Sequence, residues 1–136
     1  MKYVQTLEGI SPDMLKGGFF VNWPNPPTPE THYQLLKNSF RVVLALDEKS
    51  EQVVGFINAI SDGVLSAYIP LLEVLPQYQN QGIGKKLVKI MLDQLKHFYM
   101  IDLLCDENLQ SYYEKLGMSR AKGMMIRNYE NQSGCL

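Results

Sequence analysis

The stretch LLEVLPQYQNQGIGKKLVKIMLDQL, residues Leu71 to Leu95, holds three structural signals in immediate succession. The apolar run Ile69 to Leu75 has the length and composition of a strand and stops at Pro76, which cannot donate to a sheet ladder. Gln77 to Gln81 forms a polar connector, and from Gly82 the pattern becomes helical. Leu87, Val88, Met91, Leu92 and Leu95 fall on one face, with Lys85, Lys86, Lys89, Asp93 and Lys96 on the other. Gly82 and Gly84 stand at the helix start although glycine inside a helix costs about 0.5 to 1 kcal/mol relative to alanine.

A ligand approaching the backbone closely would account for both glycines. The first turn of a helix presents unpaired N–H groups and the positive end of the dipole, which together attract anions. Lys85 and Lys86 lie at the unfavourable end of that dipole, a placement that a bound polyanion would reverse. A glycine-containing loop with two solvated lysines is the simpler alternative. A Walker phosphate loop is excluded, because Lys86 follows Gly84-Lys85 where Ser or Thr belongs and Gln79 replaces the first glycine. A dinucleotide fingerprint is excluded as well, since Leu87 occupies the third glycine position and too little chain follows.

Gln79, Gly82 and Gly84 match the acetyl-CoA motif Gln/Arg-x-x-Gly-x-Gly/Ala, and in this the stretch resembles the GCN5-related N-acetyltransferases. A second stretch, Leu104 to Met118, reads as strand, helix and glycine stop. There Tyr112-Tyr113-x-x-x-Gly117 matches that family's aromatic-Tyr pair and glycine, with Met118 in place of the usual aromatic. The spacing of Cys105-Asp106-Glu107 before the pair looks closest to the arylalkylamine N-acetyltransferases, but Tyr68 and Pro70 stand where those enzymes carry two histidines. The likeness covers roughly residues 52–126, and residues 1–41 match nothing assignable.

The chain outside these motifs fits one domain over residues 1–136. Hydrophobic residues make up 46% and the net charge is −1 with both signs interspersed, which speaks against a nucleic-acid partner. No apolar run reaches the roughly 18 residues of a membrane span, and Met1-Lys2-Tyr3 starts a strand-like segment, so a cytoplasmic protein without a membrane partner is expected. Two cysteines are too few for a disulfide framework or a four-ligand zinc site.

Lys2 to Leu7 reads as a strand, Ser11-Pro12-Asp13 as a helix start, and Thr28-Pro29 as a second, with Tyr33, Leu36 and Phe40 spaced for burial. Three strands, Arg41–Asp47, Gln52–Ile60 and Val64–Leu75, joined by short polar turns, make an antiparallel meander. The strand Met100 to Cys105 follows a helix and must run parallel to its predecessor. A final strand Gly123–Asn128 would close the sheet, leaving residues 129–136 as a mobile polar tail. The expected fold is α/β (α+β), a mixed sheet of six to seven strands flanked by about four helices.

The resemblance implies acetyl-CoA as donor and a primary amine, small or peptidic, as acceptor, in a monomer or homodimer. It assigns cofactor contacts to Leu72 and Val74, to the turn and helix start Gln79, Asn80, Gln81, Gly82, Ile83, Gly84 and Lys85, and to Asp106 and Tyr112. Tyr113 would protonate the leaving thiolate, and Glu73, the one carboxylate in its strand, is the candidate base. Phe20 and Trp23, in a proline-rich loop, are expected to shape an apolar acceptor slot, with Tyr68 nearby; covering one end of the core is the alternative role. His32 and His97 are expected at the surface. A non-catalytic acyl-CoA-binding module and an acyl-CoA thioesterase remain open beside the transferase.

Overall fold

The computed structural model describes residues 1–135. Five strands form one sheet in chain order: β1 (Lys2–Val4), β2 (Arg41–Asp47), β3 (Gln52–Ser61), β4 (Ser66–Val74) and β5 (Met100–Asp102). The first four pair antiparallel and β4 pairs β5 parallel, which gives the expected mixed sheet. Helix α2 (Ile83–Leu95) supplies the crossover that parallel pairing requires. Helix α1 (Pro29–Lys37) begins at Thr28, whose hydroxyl accepts the Thr31 N–H at 3.1 Å, with Pro29 preset for the first turn.

Two neighbouring residues of β3 show the two layers. Gly55 faces α2, where an added Cβ would meet Leu87 and Ile83, whereas Phe56 faces the other side, against Phe19, Phe20 and His32. Glycine at 55 lets α2 pack close to the sheet, and Leu87, Val88, Met91 and Leu95 are completely buried there.

The structure departs from expectation at several points. The sheet has five strands among the described residues, and three α-helices accompany it, because Pro12–Leu15 forms only a 3-10 turn. Residues 123–128 form no strand: β5 ends at Asp102, and Gly123 already lies against Leu104, beyond the last residue that could offer a ladder. Met124, Met125 and Ile126 are exposed as a result. Residues 129–135, expected as a mobile tail, make two contacts with the body: after a 3-10 turn at Tyr129–Asn131, Gln132 Oε1 accepts the Asn25 N–H at 2.9 Å and Gly134 abuts Thr31. Finally, His32 is 1% exposed, since it shares the inner stripe of α1 with Leu36 four residues on, while His97 is exposed as expected.

Candidate active site

The pairing of β4 with β5 stops at Tyr68 and Asp102, while β4 continues to Val74 against β3. The last residues of β4 therefore have a neighbour on one side only. The alternation of an antiparallel ladder fixes which backbone groups face the open side. Leu75 N–H bonds to the Val54 carbonyl at 2.8 Å, so the next pair, Gly55 with Val74, and then Ile57 with Leu72, point their N–H and C=O groups away from each other. The Val74 carbonyl indeed accepts Gln79 Nε2 at 3.0 Å on that side. Leu72 and Val74 thus present the edge to which an extended ligand could add. A bulge sits just before them: three steps of β4 from Tyr68 to Leu71 match two steps of β3 from Ile60 to Asn58, with Pro70, which has no N–H, inside it.

The connector after β4 is pinned to the end of β2 by the Tyr78 hydroxyl, which donates to Asp47 Oδ2 at 2.6 Å and pulls that carboxyl below its usual pKa. Asn80 (φ 62°) and Gly82 (φ 83°) both turn through the left-handed region, and at 82 glycine makes that turn without strain. No side chain caps α2, and Lys86 is the first residue whose N–H finds an acceptor in the helix, Gly82 O at 3.1 Å. The N–H groups of Ile83, Gly84 and Lys85 have none there. Ile83 buries its side chain, so its backbone alone is available, and Lys86 turns toward Tyr3, its ammonium 5.8 Å from the ring centre. Lys85 is exposed, as are Gln81 and Asp106. A Cβ at Gly84 would sit 3.4 Å from the Tyr112 hydroxyl and 3.7 Å from Val74 Cγ2. Gly84 is thus the meeting point of α2, the open end of β4 and α3 (Gln110–Glu114).

Tyr113, next on α3, stacks edge-on with Tyr112 at 5.1 Å and is half-buried. Burial pushes its phenol up to about 12, with Cys105 and Tyr112 adding to the rise, so it remains protonated across the neutral and mildly alkaline range.

Glu73 projects to the α1 layer. Its Oε1 accepts the Phe20 N–H at 2.8 Å, a contact made possible by left-handed backbone at Phe20 (φ 63°) and Asn22 (φ 70°). Backbone of this kind in non-glycine residues is costly and is held only by its surroundings. Burial raises the Glu73 carboxyl above its ordinary pKa, and the Phe20 N–H partly offsets the rise. Phe20 is 3% exposed and packs on His32 and Phe56, so it supports the core as well as walling a cavity. That cavity, about 300 Å³, is bounded by Phe20, Trp23, Leu71 and Gln34 and by the docked tail. Phe20 and Trp23 come together there with ring centres 4.9 Å apart. Tyr68 lies outside the lining, five residues from Glu73 along β4, or about 17 Å of extended strand. Sequence reasoning missed His32, whose Nε2 has no hydrogen-bond partner among the described residues and whose pKa falls to about 4 on desolvation. Its spacing to Leu36 was the available signal.

An anion-ready helix start beside a strand edge able to take an extended ligand defines the class of scaffold. Residues 12–118 match the profile of the Acetyltransferase (GNAT) family, and the chain belongs to that family. It is similar to a provisionally assigned acetyltransferase from Deinococcus radiodurans R1, with 47% identity, 99% of this chain and 93% of that one covered, and a TM-score of 0.95. A GNAT family acetyltransferase from Streptococcus pneumoniae TIGR4 is 30% identical, covering 93% of this chain and 97% of that one, with a TM-score of 0.70. Among curated relatives, GCN5-related N-acetyltransferase 1, chloroplastic, of Arabidopsis thaliana is 29% identical over 94% of this chain. The uncharacterized N-acetyltransferase ycf52 of Pyropia yezoensis is 30% identical over 76%. The chain spans 68% and 64% of the lengths of those two relatives.

Proposed function

We propose that the chain transfers the acetyl group of acetyl-CoA to a primary amine by direct attack. The observation that supports this most is the convergence of the uncapped α2 start, the end of the free β4 edge at Val74, and Tyr112 of α3 around Gly84. The residues present fit the donor. Backbone N–H groups of residues 83–85, with Lys85, suit its pyrophosphate, and the backbone edge of β4 suits the amide-bearing arm. When bound, acetyl-CoA supplies an activated acetyl thioester.

The chain's own groups then have separable tasks. Glu73 accepts the proton of the incoming ammonium, for which a carboxyl raised toward neutrality is better suited than an ordinary one. Backbone N–H at Val74 faces the side where an oxyanion would be stabilised. Tyr113 holds its proton at the hydroxyl for the departing sulfur. Trp23 and Phe20 seat the body of the amine. Gln79, Asn80 and Gln81 shape the turn, and Asp106, whose carbonyl accepts the Leu109 N–H at 2.9 Å, begins the segment that brings in Tyr112. The resemblance to the arylalkylamine enzymes supports this layout of motifs; Tyr68 and Pro70 leave Glu73 to do what their histidines do.

Mass spectrometry of an amine panel incubated with acetyl-CoA tests the reading. Products heavier by one acetyl group, formed only with enzyme, support it; an unchanged panel from protein that binds acetyl-CoA would leave only a binding module.

A further inference from the structure

The cavity that Phe20 walls is built from four separate parts of the chain, of which Leu71 on β4 is one. Phe20 and Trp23 come from the proline-rich loop, Gln34 and Asn38 from α1 and its cap, and Gln132 and Cys135 from the C-terminal segment. Two contacts seat that segment: the Asn25 N–H to Gln132 Oε1 at 2.9 Å, and Gly134 against Thr31, so close that a Cβ would fall 2.7 Å from Thr31 Cγ2. Gly134 also has φ 93°, a turn that a side chain would strain. Gln132 and Gly134 are fitted to this place.

We infer that Gln132, Gly134 and Cys135 form the outer wall of the amine-acceptor slot, which restricts it to amines whose body, beyond the reacting nitrogen, carries no charge. The inference rests on the transferase reading. Glu73 does not itself line the cavity; it adjoins it through Phe20, its hydrogen-bond partner and a wall of the cavity, and through Leu71, two residues away on the same strand face. An ammonium group is therefore drawn to that end. The remaining lining divides into an apolar side, with Phe20, Trp23 and Leu71, and a strip of uncharged amides, with Gln34, Asn38 and Gln132. No lining residue among those described bears a charge, so a second ammonium or a carboxylate on the acceptor would meet no counterion in the lining. An apolar body with a neutral hydrogen-bonding group meets both sides. At about 300 Å³ the slot is of small-molecule size.

Trp23 is the chain's one tryptophan and is 36% exposed in this wall, which makes its fluorescence a direct reporter of occupancy. The test compares the natural chain with Gln132→Ala and Gly134→Ala, assayed with a short alkylamine, a longer amine ending in a neutral group, and amines of that length ending in an ammonium or a carboxylate. The natural chain should favour the neutral long amine over both charged ones at least about tenfold in kcat/KM. Each variant should raise KM for the long amine several-fold while leaving kcat, the short amine and the KM of acetyl-CoA unchanged. Equal use of charged and neutral amines, or variants that keep the long-to-short preference, would overturn the inference. Should no amine be acetylated, the transferase reading fails, and titration of Trp23 fluorescence with the same amines still decides the slot: saturable quenching by the neutral long amine, weakened in both variants, supports it, and its absence refutes it.

Discussion

Gly84→Ala separates ligand binding from folding because the two respond with opposite signs. The added methyl meets only ordinary contacts, 3.4 Å to the Tyr112 hydroxyl and 3.7 Å to Val74 Cγ2, and Gly84 is not among the residues with positive φ. Alanine is favoured over glycine in a helix by about 0.5 to 1 kcal/mol, somewhat less in a first turn, so Tm should rise by about 2 to 4 °C for a domain of this size. The same methyl fills the gap between the helix start, Val74 and Tyr112, where the proposed ligand would pass on its way to the unpaired N–H groups of residues 83–85. A hydrogen bond to a charged group contributes about 1.5 to 3 kcal/mol, so losing one from the pyrophosphate weakens acetyl-CoA about 10- to 100-fold. Calorimetric titration beside a thermal melt reads both quantities on one sample. A variant that melts higher yet binds acetyl-CoA as tightly as the parent would refute the assignment of the cradle.

Three further outcomes follow from the site. Tyr113→Phe should lower kcat about 10²- to 10⁴-fold with KM for acetyl-CoA and Tm nearly unchanged, since the hydroxyl contributes only as the carbon–sulfur bond breaks; retained kcat in steady-state assays would make Tyr113 structural. Glu73→Gln keeps an acceptor for the Phe20 N–H but should remove the acid limb of the pH profile of kcat/KM, a limb that lies above 4.5 because burial raises this carboxyl. Its stability contribution is present below 4.5 and lost as pH rises through the folded value, so the variant should be no less stable at neutral pH. His32 is lowered from 6.5 to about 4, so the unfolded chain binds the extra proton between those values and stability falls as pH drops through that window. The loss amounts to about 3 kcal/mol at 1.36 kcal/mol per pH unit, and urea melts of His32→Phe at pH 7 and 4.5 should show most of it gone.

The strand, turn and helix around Gly82 were legible because each is a local matter. Pro76 stops a ladder, glycine permits φ 83°, and the apolar stripe of α2 has helical period. The parallel placement of β5 followed from the crossover that chain length demands. What escaped reading depends on contacts distant in sequence. The strand-like composition of residues 123–128 says nothing of whether an edge exists to receive it, and β5 ends too soon. Docking of the tail depends on Asn25 meeting Gln132, 107 residues apart, and on a cleft beside Thr31 that no local pattern encodes. Phe20 and Trp23 were recognised as a pair, but the strained turn that aims the Phe20 N–H at Glu73 is set by the packed aromatic cluster around His32.

The most direct test of the account is the release of free thiol from acetyl-CoA, followed with and without a primary amine at fixed enzyme. Release should require the amine and equal the N-acetylated product formed. Thiol released at the same rate without amine would mean that water is the acceptor, and tight binding of acetyl-CoA with no release at all would contradict catalysis.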